Sequence, residues 1–87
     1  MNGAATQVAS RQFDEDFDGL PEHIRERVQR EIDRMGVRLA TFPHYRMRDS
    51  DKFRLRVGDY RVIYRFNLTS GEIYLAAIGH RREIYKF

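Results

Sequence analysis

Apolar and basic side chains alternate along residues 52–66, KFRLRVGDYRVIYRF, on both sides of a Gly-Asp pair. A period of two residues is typical of strands, and glycine at the first of two turn positions favours a type II′ hairpin turn. If Val57 faces Tyr60, every residue from 52 to 57 has a cross-strand partner between 60 and 65. The segment therefore predicts a β-hairpin with a defined register.

The two faces of this predicted hairpin differ in chemistry. One face is apolar and belongs in a core: Phe53, Leu55, Val57, Tyr60, Val62 and Tyr64. The other face is cationic: Lys52, Arg54, Arg56, Arg61 and Arg65, with Ile63 among them. Like charges directly across a strand pair cost up to about 1 kcal/mol, and a surface built only for stability would include acidic residues. We interpret this face as a surface for a polyanion; a solvated surface with no partner is the alternative.

The first half of the chain predicts a short edge strand followed by two helices. Residues 7–9 fit the strand, Ser10 is a suitable N-cap for the first helix, and Gly-Leu-Pro at 19–21 ends that helix. A second helix begins at Glu22 and ends at Phe-Pro 42–43. Its apolar stripe recurs at spacings of three and four: Ile24, Val28, Ile32, Met35 and Leu39.

The remaining segments complete an α+β domain. Residues 43–51 read as a loop, residues 67–71 as a turn, and residues 72–79, EIYLAAIG, as a central strand because they are apolar on both faces. The expected fold is an N-terminal helical pair packed on a small, mainly antiparallel β-sheet, as a single domain over 1–87 with a flexible segment at 1–6.

Charge is distributed unevenly along the 87 residues, whose formal net charge is +3. Residues 1–40 carry six arginines against eight acidic residues, whereas residues 41–87 carry ten basic residues against five acidic ones. The cationic character therefore belongs to the half that contains the hairpin. No cysteine and no long apolar run occurs, so we expect a cytoplasmic protein without a membrane segment.

Several kinds of chemistry do not fit the sequence. Three scattered histidines without cysteine do not suggest a metal site, and no glycine-rich phosphate loop precedes a helix. We therefore expect no cofactor and no metal. The combination of cations and aromatic rings suits RNA, because rings stack on unpaired bases and guanidinium groups hold phosphates.

Two segments, FRLRVGDYRVIYRF and IGHRREIY, resemble the RelE/ParE toxins of toxin–antitoxin pairs. The resemblance covers roughly residues 7–85 and is closer to the RelE branch, whose members cut messenger RNA in the ribosomal decoding site, than to the gyrase-inhibiting ParE branch. It implies a RelE-like microbial ribonuclease-type fold, a metal-independent endoribonuclease that inhibits translation, contacts with ribosomal RNA, and an acidic antitoxin partner.

The same resemblance implies the catalytic residues. They are Lys52, Arg54, Arg61, Arg81 and Tyr85. Residue chemistry suggests their roles: Lys52 is a candidate base because neighbouring like charges disfavour its protonated form, and Arg54 and Arg61 suit the phosphate. Arg81 would stabilise or protonate the leaving oxygen, and Tyr85 would orient or stack a base.

Other residues have open roles. His80 is an alternative proton carrier, and a purely structural histidine is equally compatible with the sequence. Further RNA contacts are expected from Arg46, Arg48, Arg56, Arg65 and Arg82. Two other functions remain open: a non-catalytic inhibitor of DNA gyrase, and an RNA-binding or degenerate toxin module without activity.

Overall fold

Two helices pack on one face of a five-stranded sheet in the computed structural model, which describes residues 4–84. The elements in chain order are β1 (Thr6–Ala9), α1 (Arg11–Asp18), α2 (Glu22–Gly36), β2 (Tyr45–Arg46), β3 (Phe53–Val57), β4 (Tyr60–Asn67) and β5 (Glu72–His80). The strand order is β1-β5-β4-β3-β2. Only the β1–β5 pair is parallel among these neighbours, so the predicted α+β class with a mainly antiparallel sheet is confirmed.

Strand β1 is tied to the rest of the fold at its N-terminal end. The amide of Ala5 donates to Gly36 O at 3.0 Å, and the amide of Thr6 donates to Gly71 O at 2.8 Å. These two residues fall in the segment that we predicted to be flexible, and residues 1–3 of that segment lie outside the described residues.

Helix α1 begins as predicted, with Ser10 as its N-cap. The Ser10 hydroxyl accepts from the Phe13 amide at 3.0 Å and donates to Ala76 O in β5 at 2.8 Å. One side chain therefore satisfies an orphan amide of the first turn and fastens the helix to the sheet. Phe13, in the first turn of α1, is only 4% exposed and lies in the core.

Replacing Ser10 with alanine is expected to lower the free energy of unfolding by about 1–2 kcal/mol, because both hydrogen bonds are lost together. Urea denaturation of the variant measures the effect. Thr69→Ala in the exposed turn before β5 is the control and should stay within about 0.5 kcal/mol of the parent. Equal stability of the two variants would show that the cap contributes nothing.

Helix α2 ends at Gly36, six residues before the Phe-Pro pair that we predicted as its end. Gly36 is buried, and a Cβ at this position would lie 3.7 Å from Ala5 and from Ile73, which is an ordinary packing distance. The carbonyl of Gly36 also accepts from the amide of Ala5, the residue before β1. The predicted boundary was wrong because Leu39 continues the spacing of the apolar residues of the helix although it lies in the turn that follows. Leu39 is buried in that turn.

The hairpin of β3 and β4 has the predicted register. Val57 pairs with Tyr60, and the ladder continues to Phe53 opposite Tyr64. Gly58 has a φ of +59°, and Asp59 is not among the described residues with positive φ, which is the pattern of a type II′ turn. The predicted pair of residues 52 and 65 lies beyond the first residue of β3.

Strand β2 was not predicted, since residues 43–51 read as a loop. Its two residues extend the sheet by pairing Tyr45 with Arg54 and Arg46 with Phe53. Strand β5 is flanked by β1 and β4, which confirms its predicted central place. An irregularity in its ladder lies at Ala76, because Ile63 pairs with Ala77 while Tyr64 pairs with Leu75.

The main core lies between the helices and the sheet. Its buried members are Phe13, Val28, Ile32, Met35, Leu39, Leu55, Val57, Val62, Tyr64, Ile73, Leu75 and Ile78. A second, smaller core lies on the opposite face, where Ile63, Ala77 and Ile84 are buried and Met47 packs against them. The sheet is therefore covered in part on both faces.

Candidate nucleic-acid interface

The basic face is the sheet surface opposite the helices, and it carries Lys52, Arg54, Arg56, Arg61 and Arg65. Successive side chains of β3 and β4 point to opposite faces of the sheet, so these cations share one face because the apolar residues between them point towards the helices. Arg54, Arg56 and Arg65 are exposed, and the side chain of Lys52 is 35% exposed. The structure therefore brings four of the five predicted cations to an accessible surface.

Arg61 departs from this pattern because it is only 7% exposed. Its Nη1 donates to Gly58 O and to Tyr60 O, each at 2.9 Å. These bonds hold the hairpin turn from within. The face predicted to be cationic therefore contains two buried residues, Arg61 and the fully buried Ile63.

Acidic residues lie at both ends of the basic face, although the sequence pattern suggested none. Asp51 lies between two cations, with Oδ1 3.8 Å from Lys52 Nζ and Oδ2 3.5 Å from Arg65 Nη1. At this distance and exposure such pairs contribute little to stability. Their effect is on orientation, since one carboxylate holds both cationic groups near the start of β3.

The second acidic residue, Asp59, holds Arg81 just beyond the end of β5. The Arg81 amide donates to Asp59 O at 2.7 Å, and Arg81 Nε lies 3.7 Å from Asp59 Oδ1. The turn that Arg61 stabilises therefore also positions the predicted catalytic Arg81. This link joins the hairpin turn to the segment after β5, so only the folded structure reveals it.

His80 points away from the basic face. It pairs with Tyr60 in the β4–β5 ladder, and the two rings meet edge to face at 5.7 Å between centroids. Nδ1 of His80 accepts from the Arg82 amide at 3.3 Å. The helix-side position separates this imidazole from Lys52 and Arg54 by the thickness of the sheet.

The remaining predicted site residues have varied positions. Arg48 and Arg82 are exposed, while Arg46 is exposed and donates from Nε to Ser50 O at 2.8 Å. Arg46 pairs with Phe53, which places it on the helix side of the sheet rather than on the basic face. Tyr85 lies outside the described residues.

Tyr45 is a site residue that the sequence reasoning missed. It is 63% exposed and lies opposite Arg54 in the β2–β3 pair, so its ring borders the basic face. An exposed aromatic ring beside guanidinium groups is the arrangement that stacks unpaired bases. The signal in the sequence is a tyrosine between His44 and Arg46 in a segment that reads as a loop.

Hydrogen bonds and burial perturb three titrating groups. The hydroxyl of Tyr74 donates to Glu72 at 2.6 Å, which lowers the pKa of Glu72 and raises that of Tyr74. Burial raises the pKa of Tyr64 far above its usual range. The neutral hydroxyl of Tyr64 lies 2.6 Å from His44 Nδ1, and His44 Nε2 lies 2.8 Å from Leu39 O. Both ring nitrogens of His44 are therefore engaged within the fold, and this histidine has a structural role.

Within the described residues, no three acidic or histidine side chains come together as metal ligands. No helix in the described part of the chain is long and apolar enough to cross a membrane.

Comparison with known structures identifies the fold. The RelBE2 toxin–antitoxin complex of Mycobacterium tuberculosis is 19% identical with a TM-score of 0.77, covering 95% of this chain and 98% of that chain. The isolated RelE toxin of E. coli is 14% identical with a TM-score of 0.76, covering 95% and 93%. The archaeal RelE–RelB complex of Pyrococcus horikoshii OT3 is 24% identical with a TM-score of 0.69, covering 92% and 98%. These similarities show a RelE-like fold.

Sequence comparison identifies the family. No curated protein gives a significant match to the chain. The family model that describes the ParE toxin of the type II toxin–antitoxin system parDE matches residues 8–85. This match spans most of the sequence and includes both segments on which the resemblance was based. The chain therefore belongs to the ParE toxin family of type II toxin–antitoxin systems, within the RelE/ParE superfamily.

Proposed function

We propose that this toxin is a metal-independent endoribonuclease that cuts messenger RNA in the decoding site of the cytoplasmic ribosome and so inhibits translation. The observation that carries the proposal is the basic face, where a lysine and several arginines lie on one accessible surface. Cleavage of RNA by its own 2′-OH, without a metal, needs a base, cationic groups at the phosphate and an acid for the leaving oxygen. Side chains of this kind can supply all three.

The reaction begins when Lys52 in its neutral form removes the proton of a ribose 2′-OH. The 2′ oxygen attacks the adjacent phosphorus, the bond from phosphorus to the 5′ oxygen breaks, and a 2′,3′-cyclic phosphate forms. Arg54 and Arg61 stabilise the charge on the phosphoryl oxygens. Arg81 stabilises the leaving oxygen, which takes a proton from Arg81 or from water to give a free 5′-OH. Arg61 is only 7% exposed and its Nη1 is bonded to two carbonyl oxygens, so a contact with a phosphoryl oxygen would use its remaining N–H groups.

Lys52 is a better candidate base than His80. The imidazole lies on the helix side of β5 with Tyr60, whereas the candidate phosphate ligands lie on the opposite side of the sheet. A base must come within hydrogen-bonding distance of the proton that it removes. The lysine at the start of β3 shares a surface with Arg65, to which Asp51 links it.

Inhibition of DNA gyrase is the second candidate function, because the matching family model is that of ParE toxins. Toeprinting of a translating ribosome with and without the purified toxin tests the nuclease, and a supercoiling assay with gyrase tests the alternative. New toeprints at the decoding site support our proposal. Inhibited supercoiling with intact message would replace it, and intact message with normal supercoiling would leave an RNA-binding module.

The proposed partner is an acidic antitoxin that folds against the basic face. A folded surface of several cations attracts cellular RNA without selection, and an acidic segment would neutralise it. Co-expression of the neighbouring small reading frame is expected to restore growth, and calorimetry should give a negative heat-capacity change and weaker binding at high salt. Persistent toxicity with abundant soluble neighbour, or no detectable complex, would contradict the pairing.

A further inference from the structure

A cleft opens at the edge of the sheet where β2 ends. Because β2 contains only two residues, Leu55 and the residues after it in β3 have no strand beside them on that side among the described residues. The cleft has a volume of about 440 Å³. It is lined by Glu31, Phe42, Pro43, Tyr45, Arg54, Leu55 and Arg56. We refer to it as the edge cleft.

The edge cleft combines aromatic and cationic groups. Tyr45 is 63% exposed, whereas Phe42 is half-buried and packs against the main core. The guanidinium of Arg38 lies 5.1 Å from the centre of the Phe42 ring, so the ring is contacted by Arg38 as well as by the core. Phe42 therefore forms a rigid wall, and Tyr45 presents a ring to solvent.

The polar groups of the edge cleft complement the parts of a nucleotide. Arg54 and Arg56 supply guanidinium groups suited to phosphate oxygens. Glu31, whose side chain is 30% exposed, supplies an acceptor for the amino groups of a base, although Arg34 Nη1 lies 3.3 Å from it.

We infer that the edge cleft is a nucleotide subsite, in which one unpaired base of the RNA strand stacks on Tyr45 while its phosphate lies at Arg54 and Arg56. The inference extends the proposed ribonuclease function by assigning a place to a nucleotide beside the reacting phosphate. Arg54 connects the two places, because it lines the edge cleft and also belongs to the basic face. The strand would therefore run from the basic face over β3 to the sheet edge.

The test is fluorescence anisotropy of a short labelled single-stranded RNA with the purified toxin at several salt concentrations. Tyr45→Ala is expected to weaken binding by about 5- to 150-fold, which is the usual contribution of one stacked base. Tyr45→Phe keeps the ring and should restore binding to within about 2-fold of the parent. Leu68→Ala, at an apolar position with 56% exposure in the turn before β5, is the matched control and should bind like the parent.

The salt dependence separates stacking from charge. Tyr45→Ala removes no cation, so the slope of log Kd against log salt should stay unchanged, whereas Arg56→Ala should reduce that slope. NMR supplies a second readout, since stacking moves the Tyr45 ring resonances when RNA is added. Circular dichroism of each variant confirms that the fold is retained.

Two results would overturn the edge cleft as a nucleotide subsite: parental affinity in Tyr45→Ala, or Tyr45 resonances that do not move at saturating RNA. Neither readout depends on cleavage. A toxin that stacks RNA on Tyr45 but leaves ribosome-bound message intact would support the edge cleft and contradict the proposed ribonuclease.

Discussion

Replacing Lys52 with alanine is expected to slow cleavage of ribosome-bound message by about 10²- to 10⁴-fold, the usual contribution of a positioned general base. Lys52 lies before the first residue of β3, with its amide held by Ser50 Oγ at 3.0 Å and its side chain partly exposed. Truncation of the side chain leaves the main core untouched and should change the free energy of unfolding by no more than about 0.5 kcal/mol. Single-turnover cleavage and urea denaturation measure the two effects.

The control for this experiment is Arg30→Ala, which removes an exposed cation from α2 on the other side of the molecule. It should cleave at the parental rate. Arg81→Ala tests the leaving-oxygen role in the same assay. Arg61→Ala is a different case, because loss of a buried guanidinium with two carbonyl partners destabilises the hairpin turn as well. Parental rates in both Lys52→Ala and Arg81→Ala would contradict the assignment of catalysis to the basic face.

Cleavage of free RNA is expected to be at least about 10³-fold slower than cleavage of the same message on a programmed ribosome. Correct placement of two reacting groups can supply about 7–11 kcal/mol of a reaction barrier, and a flexible strand on a small surface loses most of this benefit. The basic face and the edge cleft provide few positions that fix a strand, and both are open to solvent. The ribosomal decoding site would hold the message in one conformation.

The measurement compares initial rates on one RNA sequence, free and ribosome-bound, at equal toxin concentration. A ribosome with the same message but with the decoding site filled by a transfer RNA is the control, and it should protect the message. Similar rates on free and bound RNA would show that the toxin positions its own substrate. That result would contradict the ribosome dependence in the proposed function.

The hairpin could be predicted in detail because local signals agree there. Alternation set the faces of β3 and β4, and Gly58 set the turn that fixes their register. Ser10 likewise marked the start of α1 through the chemistry of an N-cap. In each case the determining residues lie within a few positions of one another, so their effect is visible in the sequence.

Features that depend on distant segments could not be predicted. Helix α2 ends at Gly36, whose carbonyl accepts from Ala5, while Leu39 continues the apolar spacing beyond it. Strand β2 is too short to show alternation. The burial of Ile63 requires Ala77 and Ile84, which come from β5 and the segment after it.

The candidate site likewise has features that the sequence predicts and features that only the fold shows. The sequence indicated which residues are cationic and that most of them share one face of the hairpin. It gave no sign that Arg61 turns inward, since arginine is mostly exposed in proteins. Asp51 and Asp59 looked like ordinary loop and turn acids, and only the fold places them against Lys52 and Arg81.

The extra residue in β5, Ala76, determines which face of the sheet each later side chain of the strand points to. Ile73 and Leu75 point towards the helices before Ala76, and Ile78 does so after it. A strand of uniform pleat would send Ile78 among the arginines, and it would reverse the direction in which the chain enters Arg81. Shortening β5 by Ala76 would instead preserve the direction of Ile78, because the irregularity and the extra residue would be lost together. An in-frame loss of the Ala76 codon should therefore leave both faces of β5 as they are.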